Sequence, residues 1–297
     1  MNPMLFPALL GSLWLAATPI VGGSVDHPVD DRSFLEELKS ATSALAENPS
    51  ARLGRSQRLE QCRRESIGGL SLVAPRKVAL GDEALYRHAA AAVVAIASAY
   101  KCGKCEKWHH LLASGFAVTA DGVIATNHHV VAGDTTEAMG VMTHDGRFYP
   151  VMEILASNKS HDVALLRVDA RDLACLPLRE DATAGTAIRC FSHPALSFGF
   201  FSEGIIARYF KMNESERNGA VFLQTTADYA RGSSGGPLVD AFGNAVGMVA
   251  STSPVFASAP SEHAGEAKNS KAPTPSQQMV RRNCATGRAL LELTRPR

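Results

Sequence analysis

The pattern of apolar and turn-forming residues divides the chain at about residue 85. Beyond that point ten short apolar runs recur at close spacing, each of the length of a single strand. They cover residues 93–97, 115–119, 123–126, 148–155, 163–168, 187–191, 204–209, 221–225, 237–239 and 246–250. Asp-Gly, Asn-Gly and Gly-Asn pairs fall between several of them and are typical of tight hairpin turns. Because almost no helical pattern separates the runs, they favour an all-β barrel or sandwich.

The segments outside this region have a different character. Residues 24–84 are polar and favour a helical N-terminal extension, in which Ser33 and Glu36 have capping-box spacing. The arginines between residues 52 and 64 lie among glutamates, which predicts a solvated helix face and not a basic binding patch. Residues 252–276 are rich in Ser, Ala and Pro and predict a surface loop. Residues 277–294 predict a helix that closes the domain.

The first 23 residues predict a signal peptide. Residues 4–17 are nearly all apolar, and no charged side chain precedes Asp26. The segment has no Lys or Arg before its apolar core, so an uncleaved anchor remains the alternative. We expect an exported protein, periplasmic or secreted, with no stable membrane association after cleavage. Six cysteines, an even number, fit an oxidising compartment, and Cys175 and Cys190 are a candidate pair on consecutive apolar runs.

Charge and composition narrow the class of partner. The 297 residues include 30 basic and 29 acidic side chains, so the net charge is +1 and gives no reason to expect a nucleic-acid partner. Hydrophobic residues make up 45% and charged residues 20%, as in a globular protein and unlike a disordered one.

A glycine-rich segment at residues 231–236 carries the most information about chemistry. It reads Arg-Gly-Ser-Ser-Gly-Gly, in which the glycines permit a sharp turn that exposes a hydroxyl and lets two N–H groups face an oxyanion. His129 follows the apolar run 123–126, and Asp162 directly precedes the run 163–168. A buried carboxylate needs a hydrogen-bond donor, which an imidazole N–H supplies. The chain therefore offers a base, an acid and a nucleophile, in the order His129, Asp162, Ser234.

Three blocks around these residues resemble those of chymotrypsin-fold serine proteases, in particular the HtrA-like bacterial branch. They are Thr-Asn-His-His-Val-Val at 126–131, Ser-His-Asp-Val-Ala-Leu at 160–165 and the segment 231–236. Phe-Ser-His-Pro at 191–194 stands where the family has a Gly-Asn-Pro turn. The resemblance covers about residues 85–255. It implies two six-stranded β-barrels with a C-terminal helix, so that residues 85–297 form the protease domain.

The resemblance also implies a role for each site residue. Ser234 aligns with the nucleophile and His129 with the general base, while Asp162 would orient the imidazole. The N–H groups of Gly232 and Ser234 would form the oxyanion hole. His128 falls at a position that the family leaves variable.

Two features concern substrate recognition. The strand that contains Val249, Ala250 and Ser251 is expected to pair with an extended peptide backbone. Asp228 lies six residues before Ser234, where trypsin-type enzymes hold the acid that selects basic P1 side chains. HtrA-like proteins usually have a small or apolar residue in that region, so the P1 preference stays open.

Cys102, Cys105 and His109 lie close together in sequence between the first two apolar runs. Two thiolates and an imidazole at this spacing are weak candidates for a structural zinc site. A disulfide that fastens the loop is favoured, because an exported protein meets oxidising conditions. We therefore expect no metal and no cofactor.

These observations predict a serine endopeptidase that hydrolyses protein or peptide substrates through an acyl-enzyme intermediate. The alternative is a catalytically silent binding module with a protease fold, and the intact set of three residues argues against it. An α/β-hydrolase is excluded, because its serine should precede its histidine. About 45 residues follow Ser251, too few for the PDZ domain that HtrA-like proteases commonly carry. The natural substrate and the oligomeric state are left open.

Overall fold

The first barrel is built from six antiparallel strands between residues 93 and 168. A computed structural model describes residues 28–180, 182–213, 217, 219–257 and 276–296, so the predicted signal peptide lies outside the described residues. The strands of this barrel are β1 (Val93–Lys101), β2 (Trp108–Ala117), β3 (Val123–Thr126), β4 (Thr136–Thr143), β5 (Phe148–Asn158) and β6 (Val163–Val168). They close in the order β1-β2-β3-β6-β5-β4.

The second barrel repeats this architecture with the strands that follow. They are β7 (Ala187–Ser192), β8 (Phe200–Lys211), β9 (Val221–Thr225), β10 (Pro237–Asp240), β11 (Ala245–Phe256) and β12 (Gln277–Thr286). The barrel closes in the order β10-β11-β12-β9-β8-β7. The expectation of an all-β fold with two six-stranded barrels is therefore confirmed.

Five helices accompany the barrels in the described part of the chain. They are α1 (Asp31–Ala46), α2 (Arg55–Gln61), α3 (Asp82–Ala92), α4 (His128–Val131) and α5 (Gly287–Leu293). The side chain of Asp30 caps α1 by accepting a hydrogen bond from the N–H of Ser33, so the cap precedes the predicted Ser33 by three residues. Among the residues that the structure describes, no helix has the length and apolar character needed to cross a bilayer.

The C-terminal region corrects two predictions. The predicted helix over residues 277–294 is confined to 287–293, since 277–286 form strand β12 between β11 and β9. The predicted surface loop begins later than expected, because β11 continues to Phe256. Residues 258–275 lie outside the described part.

An apolar core joins the two barrels. One cluster of buried side chains contains Phe116 of β2 together with Phe191 and Met248 from the second barrel. Leu85 of α3 and Leu290 of α5 belong to the same cluster, so both helices pack where the barrels meet. Burial of this shared surface fixes the position of one barrel relative to the other.

The N-terminal extension packs against the first barrel. Phe34 and Leu38 of α1 are buried with Ala95 of β1 and Met142 of β4. Arg58 of α2, predicted to lie on a solvated face, is instead only 1% exposed. These contacts pack part of the extension onto the first barrel, and limited proteolysis tests whether residues 24–84 can be separated from it.

The cysteines are free thiols in the structure. The candidate pair Cys175 and Cys190 is separated, because Cys175 packs against the core of the first barrel and Cys190 lies in the core of the second. Cys284 shares the core of the second barrel with Cys190. Burial raises the pKa of the Cys190 thiol to about 12, so this thiol stays protonated at neutral pH.

Candidate active site

The register between β3 and β6 brings the predicted base and acid together. Thr126 pairs with Ala164, so the residues just after β3 lie beside those just before β6. The side chain of Asn127 donates a hydrogen bond to the carbonyl of Asp162 at 2.8 Å and fastens the two chain segments to each other. His129 Nδ1 then lies 2.9 Å from Asp162 Oδ2.

Asp162 is buried and fully supplied with donors. Its side chain is 1% exposed, and its φ of 55° is a left-handed conformation that Asp tolerates better than most residues. The backbone N–H of His129 donates to Oδ1 at 3.1 Å. Arg217, from the connection between β8 and β9, lies 3.4 Å from Oδ2. These three contacts supply the buried carboxylate with hydrogen-bond and ion-pair partners.

Ser234 completes the constellation from the second barrel. His129 Nε2 lies 3.0 Å from Ser234 Oγ, and the histidine side chain is 44% exposed, so the pair faces solvent. The serine loop is fixed at its backbone: the N–H of Ser114 in β2 donates to the carbonyl of Ser234 at 2.8 Å. The structure thus brings together all three residues predicted for catalysis.

The backbone around Ser234 leaves two N–H groups available. The carbonyl of Arg231 accepts a hydrogen bond from the N–H of Ala195 at 2.7 Å, and the carbonyl of Ser233 accepts one from Gly236 at 2.8 Å. In a trans peptide the N–H points opposite to the carbonyl, so these bonds orient the N–H groups of Gly232 and Ser234. Neither N–H donates to a protein acceptor in the described residues.

Only glycine fits at position 232. Its φ is +100°, and an added Cβ would lie 2.5 Å from the carbonyl oxygen of His193. A larger residue would both strain the backbone and displace the neighbouring turn. The turn holds its place because the N–H of His193 donates to Ser114 Oγ at 3.1 Å.

The neighbouring histidine and serine have other contacts. His128 Nδ1 lies 2.8 Å from Ser157 Oγ, and burial lowers the pKa of His128 below its ordinary value. Ser233 is fully buried and accepts a hydrogen bond from Ser192 at 2.9 Å. Both side chains are therefore engaged by partners outside the His129–Ser234 pair.

Helix α1 supports the turn that orients Arg231. Asp31 accepts a hydrogen bond from the N–H of Phe198 at 2.8 Å, and the rings of Phe34 and Phe198 lie 4.5 Å apart. Phe198 in turn contacts the ring of His193 at 5.4 Å. The N-terminal extension therefore contacts the turn at residues 193–198, which lies next to the peptide N–H groups of Gly232 and Ser234.

Helix α2 supports the helix that carries His129. The guanidinium of Arg58 donates hydrogen bonds to the carbonyls of Val131, Gly133 and Thr136, which follow the histidine in the chain; the last two measure 2.8 and 3.1 Å. Burial lowers the pKa of Arg58. One buried side chain thus holds the whole connection from α4 to β4.

Sequence reasoning missed both Arg58 and Arg217. Arg58 lies in a run of exposed arginines, and only the apolar character of Leu53 and Leu59 nearby indicates a buried face. Arg217 lies in a polar hairpin connection with no recognisable motif around it. Its contact with Asp162 depends on the position of one barrel relative to the other, which no local pattern encodes.

The predicted substrate strand already has backbone hydrogen bonds to the serine loop at Val249. The N–H of Val249 donates to Gly236 and its carbonyl accepts from Gly235, so its backbone is occupied by the serine loop. A register shift between Val249 and Ser251 places Ala250 in a bulge. The carbonyl of Ser251 accepts a hydrogen bond from the Tyr229 hydroxyl at 3.0 Å.

Asp228 is already paired within the chain. Its carboxylate is 70% exposed and forms an ion pair with Arg282 of β12, while its backbone carbonyl accepts a hydrogen bond from Ser202. A cationic P1 side chain would have to compete with Arg282 for this carboxylate.

The cysteine–histidine cluster lies at the end of the β1–β2 hairpin. Cys105 Sγ is 3.5 Å from Cys102 Sγ and 3.1 Å from His109 Nε2, and the three atoms all lie within 4.8 Å of one another. The N–H of Lys104 lowers the pKa of the Cys102 thiol. The favoured disulfide is not formed in the structure.

Comparison with known proteins agrees with this geometry. A family model described as a trypsin-like peptidase domain matches residues 113–248. A probable periplasmic serine endoprotease, DegP-like, from Pseudomonas fluorescens is 34% identical over 142 residues, covering 46% of this chain and 28% of that protein. The mitochondrial serine protease HTRA2 of Drosophila virilis is 31% identical over 140 residues, with 46% and 33% covered. The chain thus spans about a third or less of the length of these relatives.

Solved structures show the same architecture over a longer stretch. An HtrA-type protease, AlgW with a tripeptide, is 25% identical with a TM-score of 0.53, covering 70% of this chain and 60% of that one. AlgW with a decapeptide has a TM-score of 0.55 at 21% identity, covering 71% and 65%. The two barrels therefore have the chymotrypsin-type fold, and residues 113–248 are similar to trypsin-like peptidase domains, including those of HtrA-type serine proteases.

Proposed function

We propose that the chain is a serine endopeptidase in which His129, Asp162 and Ser234 act as a catalytic triad. The observation that carries the proposal is the continuous contact from Asp162 Oδ2 through the imidazole to Ser234 Oγ, with distances of 2.9 and 3.0 Å. Nucleophile, base and orienting acid within hydrogen-bond reach are the arrangement that activates a serine hydroxyl. The N–H groups of Gly232 and Ser234, which have no protein acceptor among the described residues, add the donors that an oxyanion would need.

The reaction follows from these contacts. His129 Nε2 takes the hydroxyl proton as Ser234 Oγ attacks the peptide carbonyl carbon, and the oxyanion that forms accepts hydrogen bonds from Gly232 and Ser234. The imidazolium then gives its proton to the departing amine, which leaves an acyl group on Ser234. Water attacks the ester by the same proton transfers and releases the acid. Asp162 stabilises the imidazolium both when the acyl-enzyme forms and when water hydrolyses it.

The substrate we propose is an extended protein or peptide segment. The edge of β11 after Val249 has no strand partner on the side of the serine loop in the described residues, and we expect an extended substrate backbone to pair along this edge. Relatives whose names describe them as serine proteases, and a solved neighbour described with a bound tripeptide, support this substrate class.

Covalent labelling tests the proposed activity. A fluorophosphonate probe should label the purified protein at Ser234, as located by peptide mapping. The Ser234→Ala variant should not be labelled, whereas Ser233→Ala should be, because Ser233 Oγ faces Ser192 in the interior. A folded protein that takes up no label would favour the silent binding module. Label on any other serine would contradict the assignment of the nucleophile.

The Asp228–Arg282 pair makes a prediction about P1 preference. Because Arg282 neutralises this carboxylate, the protein should not prefer Lys or Arg at P1, and Arg282→Ala should raise the relative cleavage of basic P1 substrates. Profiling of both proteins with a peptide library measures the shift. A strong basic preference in the unaltered protein, or no change on removing Arg282, would show that the pair does not govern this subsite.

Export is a further part of the proposal. Residues 1–23 have the composition of a signal peptide, and one relative is named as periplasmic. Cell fractionation with N-terminal mapping of the mature chain is the test. A full-length N-terminus recovered from the cytosol would contradict it.

A further inference from the structure

We propose that Cys102, Cys105 and His109, with both thiols reduced, bind one zinc ion at the end of the β1–β2 hairpin. The three donor atoms lie within 4.8 Å of one another and are the one group of at least three potential ligands that converges in this way among the described residues. Zinc in proteins takes thiolates and imidazoles as ligands, and a set of three protein ligands leaves its fourth position to water.

The local backbone is arranged to aim both sulfurs at one point. Gly103 has a φ of +71°, which turns the chain sharply between the two cysteines. The N–H of Lys104 points to Cys102 Sγ at 3.4 Å, an interaction that stabilises a negatively charged sulfur. A single tight turn therefore presents two thiols and supports one of them with a backbone donor.

His109 enters from the neighbouring strand. It pairs in register with Tyr100, two residues before Cys102, so the hairpin itself brings the imidazole under the cysteine turn. The rings of Tyr100 and His109 lie 5.5 Å apart, which limits rotation of the imidazole. His110 faces the other side of β2, where its Nε2 lies 3.1 Å from Ser43 Oγ.

The spacing of the donors suits zinc. With Zn–S distances of about 2.3 Å and Zn–N of about 2.0–2.1 Å, tetrahedral donors lie about 3.5–3.8 Å apart. The two measured separations are 3.5 and 3.1 Å, so small side-chain rotations bring the atoms onto the ion. Cys105 is exposed and leaves a path for entry, and a water molecule would supply the fourth ligand.

The histidine distinguishes this arrangement from the disulfide expected from the sequence. A disulfide forms when both thiols lose their protons and two electrons to an oxidant, and it makes no use of an imidazole. Zinc binding releases the same two protons without any change of oxidation state and uses all three donors. The contact between His109 Nε2 and Cys105 Sγ is therefore the observation that favours the metal.

Metal titration of the full-length chain tests the proposal. Protein kept reduced in the absence of air should take up one zinc per chain in competition with a chromophoric chelator. Cobalt at the same site should give sulfur-to-metal charge-transfer absorption. Cys105→Ser and His109→Ala should each weaken zinc binding by more than about 100-fold, because even residues that only support a metal ligand cost 10–100-fold. Circular dichroism establishes that the variants are folded.

Two matched variants serve as controls. Cys175→Ser removes a half-buried thiol elsewhere in the fold, and His110→Ala removes the adjacent histidine. Both should bind zinc as the unaltered protein does. If the reduced protein binds no zinc, or if Cys105→Ser binds it equally well, the proposal is wrong. The readout is independent of peptidase activity, so an inactive protein that binds zinc would overturn only the proposed function.

Discussion

Asp162 has three donors, which come from two parts of the chain. The imidazole and the backbone N–H of His129 supply two of them, and Arg217 of the second barrel supplies the third. Each of these contacts offsets part of the cost of burying a carboxylate. The orientation of the imidazole therefore depends on an anion that the second barrel helps to hold.

Replacing Asp162 by Asn should leave the fold intact and lower the turnover number by about 10⁴-fold, because an amide no longer fixes the required imidazole tautomer. Steady-state kinetics on a peptide substrate and a thermal unfolding curve measure the two effects. Asp169→Asn, at an exposed carboxylate just after β6, should match the unaltered protein in both. Near-normal turnover in Asp162→Asn would mean that another group orients His129.

His193 predicts a pH dependence of stability. It is buried beside the serine loop, where loss of hydration lowers its pKa to about 4. The unfolded chain takes up a proton near pH 6.5 and the folded protein only near 4, so the unfolded state binds more protons between these values. The contribution of neutral His193 to the free energy of unfolding is complete above pH 6.5 and is lost as the pH falls towards 4. The pKa difference between the unfolded and folded states corresponds to about 3 kcal/mol of this free energy.

The variant His193→Asn should remove this dependence. Asn does not titrate, and its side-chain oxygen can still accept the N–H of Gly199, which His193 Nδ1 accepts at 3.1 Å. The free energy of unfolding, measured in urea at several pH values between 4 and 7, should therefore fall less steeply for the variant. Parallel curves for the two proteins would show that His193 does not titrate as its burial implies.

At the scale of elements, α2 holds the chain segment that follows α4 through the hydrogen bonds of Arg58. Arg58 donates hydrogen bonds to three carbonyls of the connection that follows His129, and Arg58 itself is only 1% exposed. Hydrogen bonds from a charged donor are worth about 1.5–3 kcal/mol each, and a buried acceptor left unpaired adds a penalty. The position of His129 therefore depends on a helix in the N-terminal extension.

Replacing Arg58 by Met should lower the free energy of unfolding by about 3–5 kcal/mol, because it removes three hydrogen bonds from a charged, buried donor. It should also slow fluorophosphonate labelling of Ser234. Chemical denaturation and labelling kinetics measure the two effects. Arg55→Met, on the exposed side of the same helix, is the control and should change neither. Equal behaviour of the two variants would exclude the bracing role.

The elements also show what the sequence can predict. Strands with β-branched residues and clear turns, such as β3 and β6, are recognisable from their pattern, and the residues predicted for catalysis lie directly beside them. Strand β4 was missed because Gly140 and two methionines lack strand preference. The glycine is required by packing, since a Cβ would lie 2.2 Å from the ring of Phe148.

Long-range contacts account for the remaining differences. Strand β12 contains apolar residues at spacings that also suit a helix, and pairing with both β11 and β9 decides in favour of a strand. The burial of Arg58 and the contact of Arg217 with Asp162 follow from tertiary packing in the same way. Local patterns identify residues that lie within motifs, whereas residues that support them from a distance have no local signature.

At the scale of the whole molecule, Ser114 links the two barrels at the site. Its hydroxyl donates to the carbonyl of Gly232 at 3.0 Å and accepts from the N–H of His193, while its N–H donates to Ser234. One residue of β2 thus contacts both the serine loop and the turn beside it. Because β2 also carries His109, a zinc ion on the hairpin would stiffen the strand that ends at this junction.

Replacing Ser114 by Ala should affect activity more than stability. Loss of two hydrogen bonds costs about 2 kcal/mol of stability. The loosened Gly232 peptide should lower kcat/KM by about 10-fold or more, as complete loss of one oxyanion donor costs 10²–10³. Ser98→Ala, at another buried serine in the first barrel, should change stability without this loss of activity. Equal kcat/KM in both variants would contradict a linking role.

The division of the site between two barrels has a consequence for how the protein is made. A chain that emerges and folds from its N-terminus completes every strand of the first barrel, with His129 and Asp162, before the serine loop is available. Under the proposed mechanism, the growing chain then has a base and an acid but no nucleophile. Hydrolysis would begin only when the second barrel docks, so a partly folded chain would not cleave other proteins.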